Sequence, residues 1–261
     1  MINRSGITGI VAAGIVISAM AGCCPDAAVA PSAQPPRVTM TAVYSPDAIT
    51  VDGKLDEPVW KRAPVYQLNL SQDRVENGGC LEQPGEVRLA WDEEFFYVAA
   101  AFVDSDVVAE GTEDQLHHYK LGDLCEVFIK PADHSWYWEL YATPLGNKTE
   151  FFFPSQGRLN LPSTFESGGG LSIRVGARID GTANDWSDTD RCWTAEMAIP
   201  VKDLTARGGQ WGQGSNWTIL IGRYNYSYHL TGNGPELSSS PQLPKTSFHL
   251  LPNYAELELS K

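Results

Sequence analysis

Beyond residue 48 the chain is a succession of short runs in which apolar and polar residues alternate, divided by Gly, Pro, Asn and Asp. Alternation with a period of two marks a strand with one buried face. "EVRLAW" places Val87, Leu89 and Trp91 on one side, and "FFYVAAAFV" is apolar on both sides, as a central strand requires. "DLCEVFIKP", "WYWELYA", "KTEFFF", "LSIRVGARI", "CWTAEMAI", "NWTILIGRYNY" and "AELELS" continue the series. "AITVDGKLDEPVW" reads as a short strand followed by an Asp-Gly turn. Many short strands at this spacing predict an all-β fold, a β-sandwich of mainly antiparallel strands with few short helices. Short helices are expected at "EPVWKRA" and at "PVKDLTA", where Pro200 suits a helix start. The polar passage 225–246, rich in Gly, Ser and Pro, reads as a surface loop.

One hairpin is unusually rich in rings. Residues 123–146 give a strand, a polar turn and a second strand in which Trp136, Trp138 and Leu140 share one face while Tyr137, Glu139 and Tyr141 share the other. One face must fill the space between sheets, yet both carry aromatic side chains. Trp60, Trp91, Trp193 and Trp217 lie in patterned runs and are expected in the core; Trp186 and Trp211 lie in loops, where exposure is expected.

The remaining features place the chain and exclude partners. A single Arg precedes the apolar run Ile7 to Ala21, which ends in "MAGCC". That is an export signal, too short to span a bilayer comfortably. Met20, Ala21 and Gly22 before Cys23 resemble a bacterial lipoprotein signal, with Cys23 as the acylated residue; ordinary secretory cleavage nearby is the alternative. The expected organisation is a signal over 1–22, a Pro/Ala-rich tether over 23–42, and one domain over 43–261 in the cell envelope. The formal charge of −13 and the lack of clustered Lys and Arg argue against nucleic acid. Cys80, Cys125 and Cys192 lie beyond the signal, and one disulfide plus one buried thiol is the expected arrangement, with Cys125 in the core phase of its strand.

With the strands in place, "ITVDGKLDEPVW", "VRLAWDEEFFYVAAAFVDSDV", "GDLCEVFIKP", "YWELYATPLG", "CWTAEMAIPVKDL", "IGRYNY" and "FHLLPNYAELEL" together resemble the family 9 carbohydrate-binding module and its wider group of CBM9-like domains. The early Asp-Gly-x-Leu-Asp-Glu-x-x-Trp and the late Trp-Thr-x-Glu-x-x-Ile-Pro stretches carry most of that resemblance. It implies a sandwich that holds sugar between rings and polar side chains, with calcium as a structural ion. It also implies work at the envelope beside polysaccharide-degrading enzymes. Relatives in the wider group bind haem.

Candidate residues follow. Trp136 and Trp138 are expected to stack on a pyranose, with Tyr137, Tyr141, Glu126, Glu139, Arg223 and Asn225 lining the site as donors and acceptors. The plain alternative is a cross-strand ion pair on a solvated face. Asp104, Asp106 and Asp123 offer hard oxygen ligands for calcium from two turns. Haem, under the alternative, would use His117 or His118; Met197 is in phase with Trp193, Ala195 and Ile199 and reads as core, and no Cys-x-x-Cys-His is present. Glu126 and Glu139 also offer the paired carboxylates of a glycosidase, the third reading. Trp186, Trp211 and Tyr228 are the next ring candidates.

Overall fold

A computed structural model describes residues 37–156 and 171–261. Among the described residues twelve strands form one sheet that folds over on itself: β1 (Thr39–Tyr44), β2 (Tyr66–Gln67), β3 (Gly85–Trp91), β4 (Phe95–Val103), β5 (Leu124–Pro131), β6 (Tyr137–Ala142), β7 (Lys148–Phe153), β8 (Arg174–Asp180), β9 (Cys192–Pro200), β10 (Trp217–Asn225), β11 (Glu236–Ser240) and β12 (Ala255–Ser260). The path runs β7, β6, β5, β10, β12, β1, β3, β4, β9, β8, with β11 on β10 and β2 on β3. Pairing is antiparallel except at β1, which is parallel to both β12 and β3. The strand β1 thus joins two antiparallel halves. It starts at Thr39, inside the stretch expected to be tether, with Met40 and Ala42 fully buried, so the domain begins before residue 43. The export signal and Cys23 lie outside the described residues.

The two halves face each other over the main core. Val87, Leu89, Trp91, Phe96, Val98, Phe102, Trp193 and Met197 come from one half. Cys125, Val127, Ile129, Trp138, Leu140, Trp217, Ile219 and Ile221 come from the other. This is the inward-facing alternation of a sandwich. The outer face of the β3, β4 and β9 half is covered by α1 (Pro58–Arg62) and the segment before it, through Ile49, Val59 and Trp60. The outer face of the β5, β6 and β10 half is covered by the segment after β11, through Leu243, Phe248 and Tyr254. Helix α2 (Gln72–Glu76), which the pattern did not signal, and α3 (Val201–Thr205) complete the fold.

Three expectations are corrected. Residues 48–51 form no strand, because their backbone is held by side chains: Thr50 N donates to Glu57 and Asp52 N to Glu196. The polar passage 225–246 contains β11, whose Ser238, Ser239 and Ser240 are buried against β10; small hydroxyls allow this close packing. Cys80, Cys125 and Cys192 are all free thiols, and burial pushes the Cys125 thiol up to about 12, which leaves it inert.

The two motifs that carry the family resemblance meet in space. Glu196, on the outer face of β9, accepts from Trp60 Nε1 at 2.9 Å and from the backbone of Asp52 and Gly53 at 3.0 Å each. The turn fits because Gly53 has φ +79°, and because Gly176 lets the chain approach: a Cβ there would lie 2.5 Å from the Val51 oxygen. Replacing Glu196 with Ala leaves three donors without their acceptor, and a loss of about 2–3 kcal/mol is expected. Urea unfolding reads this as a lower midpoint at unchanged slope; an unmoved midpoint would show that the clasp carries no stability.

Candidate functional site

The register of β5, β6 and β10 decides which of the expected ligand-site residues can act together. Glu126 lies opposite Tyr141 on β6 and opposite Gly222 on β10, while Arg223 lies opposite Cys125. Glu126, Tyr137, Glu139 and Tyr141 therefore share the outer face, and Trp138, Arg223 and Asn225 point to the inner side. The expected set is split into three. Trp138 is fully buried in the main core, with the Phe152 ring at 4.8 Å and Arg207 over its face at 5.4 Å, so it has no surface with which to stack on a sugar. Trp136 is half-buried on that same inner side, resting on Trp217 and Phe152. Arg223 and Asn225 are fully buried at the end of the sandwich, bonded to Gln83, Val103 and Asp104.

The outer face keeps the other four together, all buried beneath the covering segment. Glu126 is 2% exposed and Glu139 5%, with Tyr141 placed between them, where its hydroxyl donates to Glu139 Oε1. His249 approaches from the covering segment, with Nδ1 2.9 Å from the Tyr137 hydroxyl and Nε2 3.6 Å from Glu139 Oε2. Burial lowers His249 to about 4, so at neutral pH this contact is not an ion pair. Desolvation raises Glu139 to about 7, and desolvation together with the neighbouring Glu139 raises Glu126 well above the usual carboxylate range. Two carboxyl groups thus share one phenol, and burial disfavours the charge of both.

Rings surround this pair. Phe128, Phe151, Phe153 and Tyr254 form the apolar floor and walls. Half-buried Tyr119, Tyr224 and Tyr226 form a rim, with Tyr224 and Tyr226 stacked at 6.4 Å and the Tyr226 hydroxyl donating to the Tyr119 carbonyl at 2.5 Å. The rim was missed in the sequence because Tyr119 precedes β5 and Tyr224 and Tyr226 lie where the alternation of β10 runs out; the signal available was the tyrosine spacing in "RYNYSY". Elsewhere, Trp186 and Tyr228 are exposed and lie 5.6 Å apart, whereas Trp211 is half-buried on Phe96 and Trp217.

The calcium expectation does not fit the residues present. Asp104 Oδ2 accepts from Arg223 at 2.9 Å, the two oxygens of Asp123 accept from the backbone of Val108 and Tyr226, and Asp106 Oδ2 accepts from Tyr228 N. One buried oxygen, Asp106 Oδ1, has no partner, but a guanidinium lies within the set, and no group of His, Cys, Asp or Glu suited to a metal occurs among the described residues. These aspartates brace loops. Of the haem candidates, His118 uses both ring nitrogens, on Thr149 Oγ1 and the Glu113 carbonyl, and Met197 is core, while His117 is exposed with its ring 5.9 Å from Tyr119 and 5.5 Å from Phe151.

The fold is a β-sandwich that carries a buried pair of acids among rings on one outer face, beneath the segment after β11. Residues 51–151 match the family model described as carbohydrate family 9 binding domain-like, which bears out the resemblance over that stretch. Among solved structures, a proposed carbohydrate-binding protein from Bacteroides uniformis ATCC 8492 shares the fold at 12% identity, with a TM-score of 0.65 over 85% of this chain and 99% of that one. A family 9 carbohydrate-binding module from Caldicellulosiruptor kristjanssonii shares it at 11% identity in two structures. Its cellotriose complex gives a TM-score of 0.52 over 85% of this chain and 93% of that one, and its glucose complex 0.53 over 85% and 95%. No curated protein matches the chain.

The raised carboxyl predicts a pH signature. Folded Glu139 holds its proton to about 7, whereas an unfolded glutamate releases it near 4.5. The folded state binds more protons between these values, so this group's contribution is complete below 4.5 and is lost as pH rises through 7. His249 acts in the opposite sense, because its folded value is lowered from 6.5 to about 4. The test is therefore a difference: the melting temperature of Glu139→Gln relative to wild type should climb as pH rises from 4.5 to 7. A difference that does not vary with pH would mean that Glu139 titrates as an ordinary carboxylate.

Proposed function

We propose that this protein binds carbohydrate without cleaving it, and that the recess of Glu126, Glu139 and Tyr141 under the Tyr119, Tyr224 and Tyr226 rim is its ligand site. The observation that carries the reading is the coincidence of two findings. The family match over 51–151 contains both acids and the first rim tyrosine, and those acids form a buried hydrogen-bonding group enclosed by rings. A carboxyl that keeps its proton donates to a sugar hydroxyl, an ionised one accepts, and phenols and imidazole do either. The flat faces of the rim tyrosines suit the apolar side of a pyranose. The Caldicellulosiruptor module of similar fold is described in complex with cellotriose and glucose.

The glycosidase alternative needs one acid protonated and the other ionised at a set separation; the binding reading needs neither, and the family model that matches describes binding domains.

We also propose that Cys23 is acylated and anchors the protein in the cell envelope, where it serves polysaccharide use beside degrading enzymes; the motif "MAGCC" and the Pro/Ala stretch support this. Intact mass of the protein from its native host should show a chain beginning at Cys23 with added acyl mass. An unmodified N-terminus at another position overturns the anchor.

The ligand reading is tested by a glycan array followed by calorimetry. Binding is expected with no shortened product, and Tyr224→Ala, confirmed as folded by a cooperative melt, should weaken it at least about tenfold, since a ring anchor carries a large share of binding energy. An array silent for every glycan overturns the function; undiminished binding by folded Tyr224→Ala moves the ligand away from this recess.

A further inference from the structure

At the end of the sandwich where β4 and β10 finish, two loops bring a pair of rings into solvent. Trp186, between β8 and β9, is 65% exposed and Tyr228, after β10, is 70% exposed, yet their ring centroids lie 5.6 Å apart. The pair is fixed from below. Asp106 Oδ2 accepts from Tyr228 N at 2.7 Å, while Val107 N and Ala109 N donate to Asp190 and Asn184 of the other loop at 2.6 and 2.7 Å. His229 Nε2, 3.3 Å from the Asp188 carbonyl, joins the two loops directly. Rings held in place before a ligand arrives lose little freedom on binding it.

Just beyond Tyr228, from Leu230 onward, the chain forms one wall of a cleft of about 450 Å³; the stretch that follows α2 forms the other. That volume lies within the roughly 300–1,000 Å³ of small-molecule sites. The walls are braced, since Glu82 accepts from Thr231 N and Oγ1, and Glu236 from the backbone of Glu82 and Gln83. Both acids that border the cleft are thus engaged within the fold. What remains for a ligand is the Asn233 amide, and backbone left bare at Gly78, Gly232 and Gly234, where an added Cβ would meet nothing within 4 Å.

The surroundings select the occupant. A protein partner requires a broad apolar patch. Here the rings stand among polar neighbours, with Asp185 and Ser187 on either side of Trp186 and Ser227 and His229 on either side of Tyr228. A pyranose presents an apolar face and a rim of hydroxyls, which suits a ring beside amides and open backbone. Tyr226 of the first site and Tyr228 of this pair are two residues apart, a span of at most about 7 Å, so a chain seated in the first site is led toward the second. Resting on the carbohydrate reading above, we propose that Trp186, Tyr228 and the adjoining cleft form a second sugar subsite, and that the ligand is a chain of several sugar units. One unit stacks on the ring pair, and the next lies in the cleft with its hydroxyls on Asn233 and the glycine backbone.

Calorimetry on the full chain with glucose, cellotriose and cellohexaose tests this, using Trp186→Ala and Tyr228→Ala confirmed as folded by a cooperative melt. The wild type should bind cellohexaose at least about tenfold tighter than glucose, because the second contact is made by a unit already tethered. Either variant should lose most of that gain while its affinity for glucose is unchanged. Tyr224→Ala, in the first site, should instead weaken all three. Cellohexaose no tighter than glucose, or a gain that survives in Trp186→Ala, overturns the second subsite and leaves the carbohydrate reading standing. Failure of all three to bind also overturns the subsite; the carbohydrate reading falls only with an array silent for every glycan.

Discussion

Arg223 holds the end of the sandwich on which the functional face depends. Its guanidinium is fully buried and donates to the Gln83 and Val103 carbonyls and to Asp104, while its carbon plane lies 4.9 Å from the Phe102 ring. It therefore ties β10 of one half to the start of β3 and the end of β4 in the other. Asp123, the second carboxylate near it, accepts from Val108 and Tyr226 and so fixes the loop before β5 against the loop after β10. Those loops carry Tyr119 and Tyr226 of the rim, and Tyr224 lies at the end of β10 between them. Such a group is weak evidence for net stability, because desolvation offsets the attraction; removing one partner nevertheless costs about 3–5 kcal/mol, which makes the arrangement hard to leave once formed.

The second constraint is the pleat. Successive side chains of β5, β6 and β10 point to opposite faces, so a shift of one position transfers a residue from core to site. Glu126 and Arg223 are a pair of that kind. Both are charged residues on neighbouring strands, and only the register, with Glu126 against Gly222, puts them on opposite sides. Gly222 matters because the Phe248 ring fills the place of its side chain, with an ideal Cβ 2.7 Å from Cε2. That contact seats the covering segment and brings His249 to the acids.

Much of the fold was legible because alternation reports burial directly. The strands from β3 to β10 and the short helices α1 and α3 followed from period, turn residues and Pro200. What failed depended on contacts distant in sequence. The strand β1 looks like linker because Pro and Ala precede it, and only its parallel partners β3 and β12 make it central. The extended stretch at 48–51 is held by Glu196, far along the chain. In the site, the outer-face quartet followed from spacing alone, whereas placing Arg223, Asn225 and Trp138 required the register. The three aspartates carry the right atoms for a cation, yet their oxygens are claimed by backbone donors and a guanidinium that sequence does not position.

Two of the buried charge groups of this domain make an instructive contrast. Asp104 and Asp123 lie beside a buried cation and accept backbone donors, which work against the burial that raises both carboxyls. Glu126 and Glu139 have a phenol, a neutral imidazole and one another. An apolar pair in their place would pack against Phe128, Phe151 and Tyr254 without the desolvation penalty, and replacement of buried charges by well-packed apolar residues is often stabilising. Local rules of stability are commonly broken at functional sites, where the cost is met by something outside the folded chain. On that reasoning the acid pair with no cation beside it among the described residues supports the ligand site proposed above, and the aspartates tied to Arg223 serve as scaffolding.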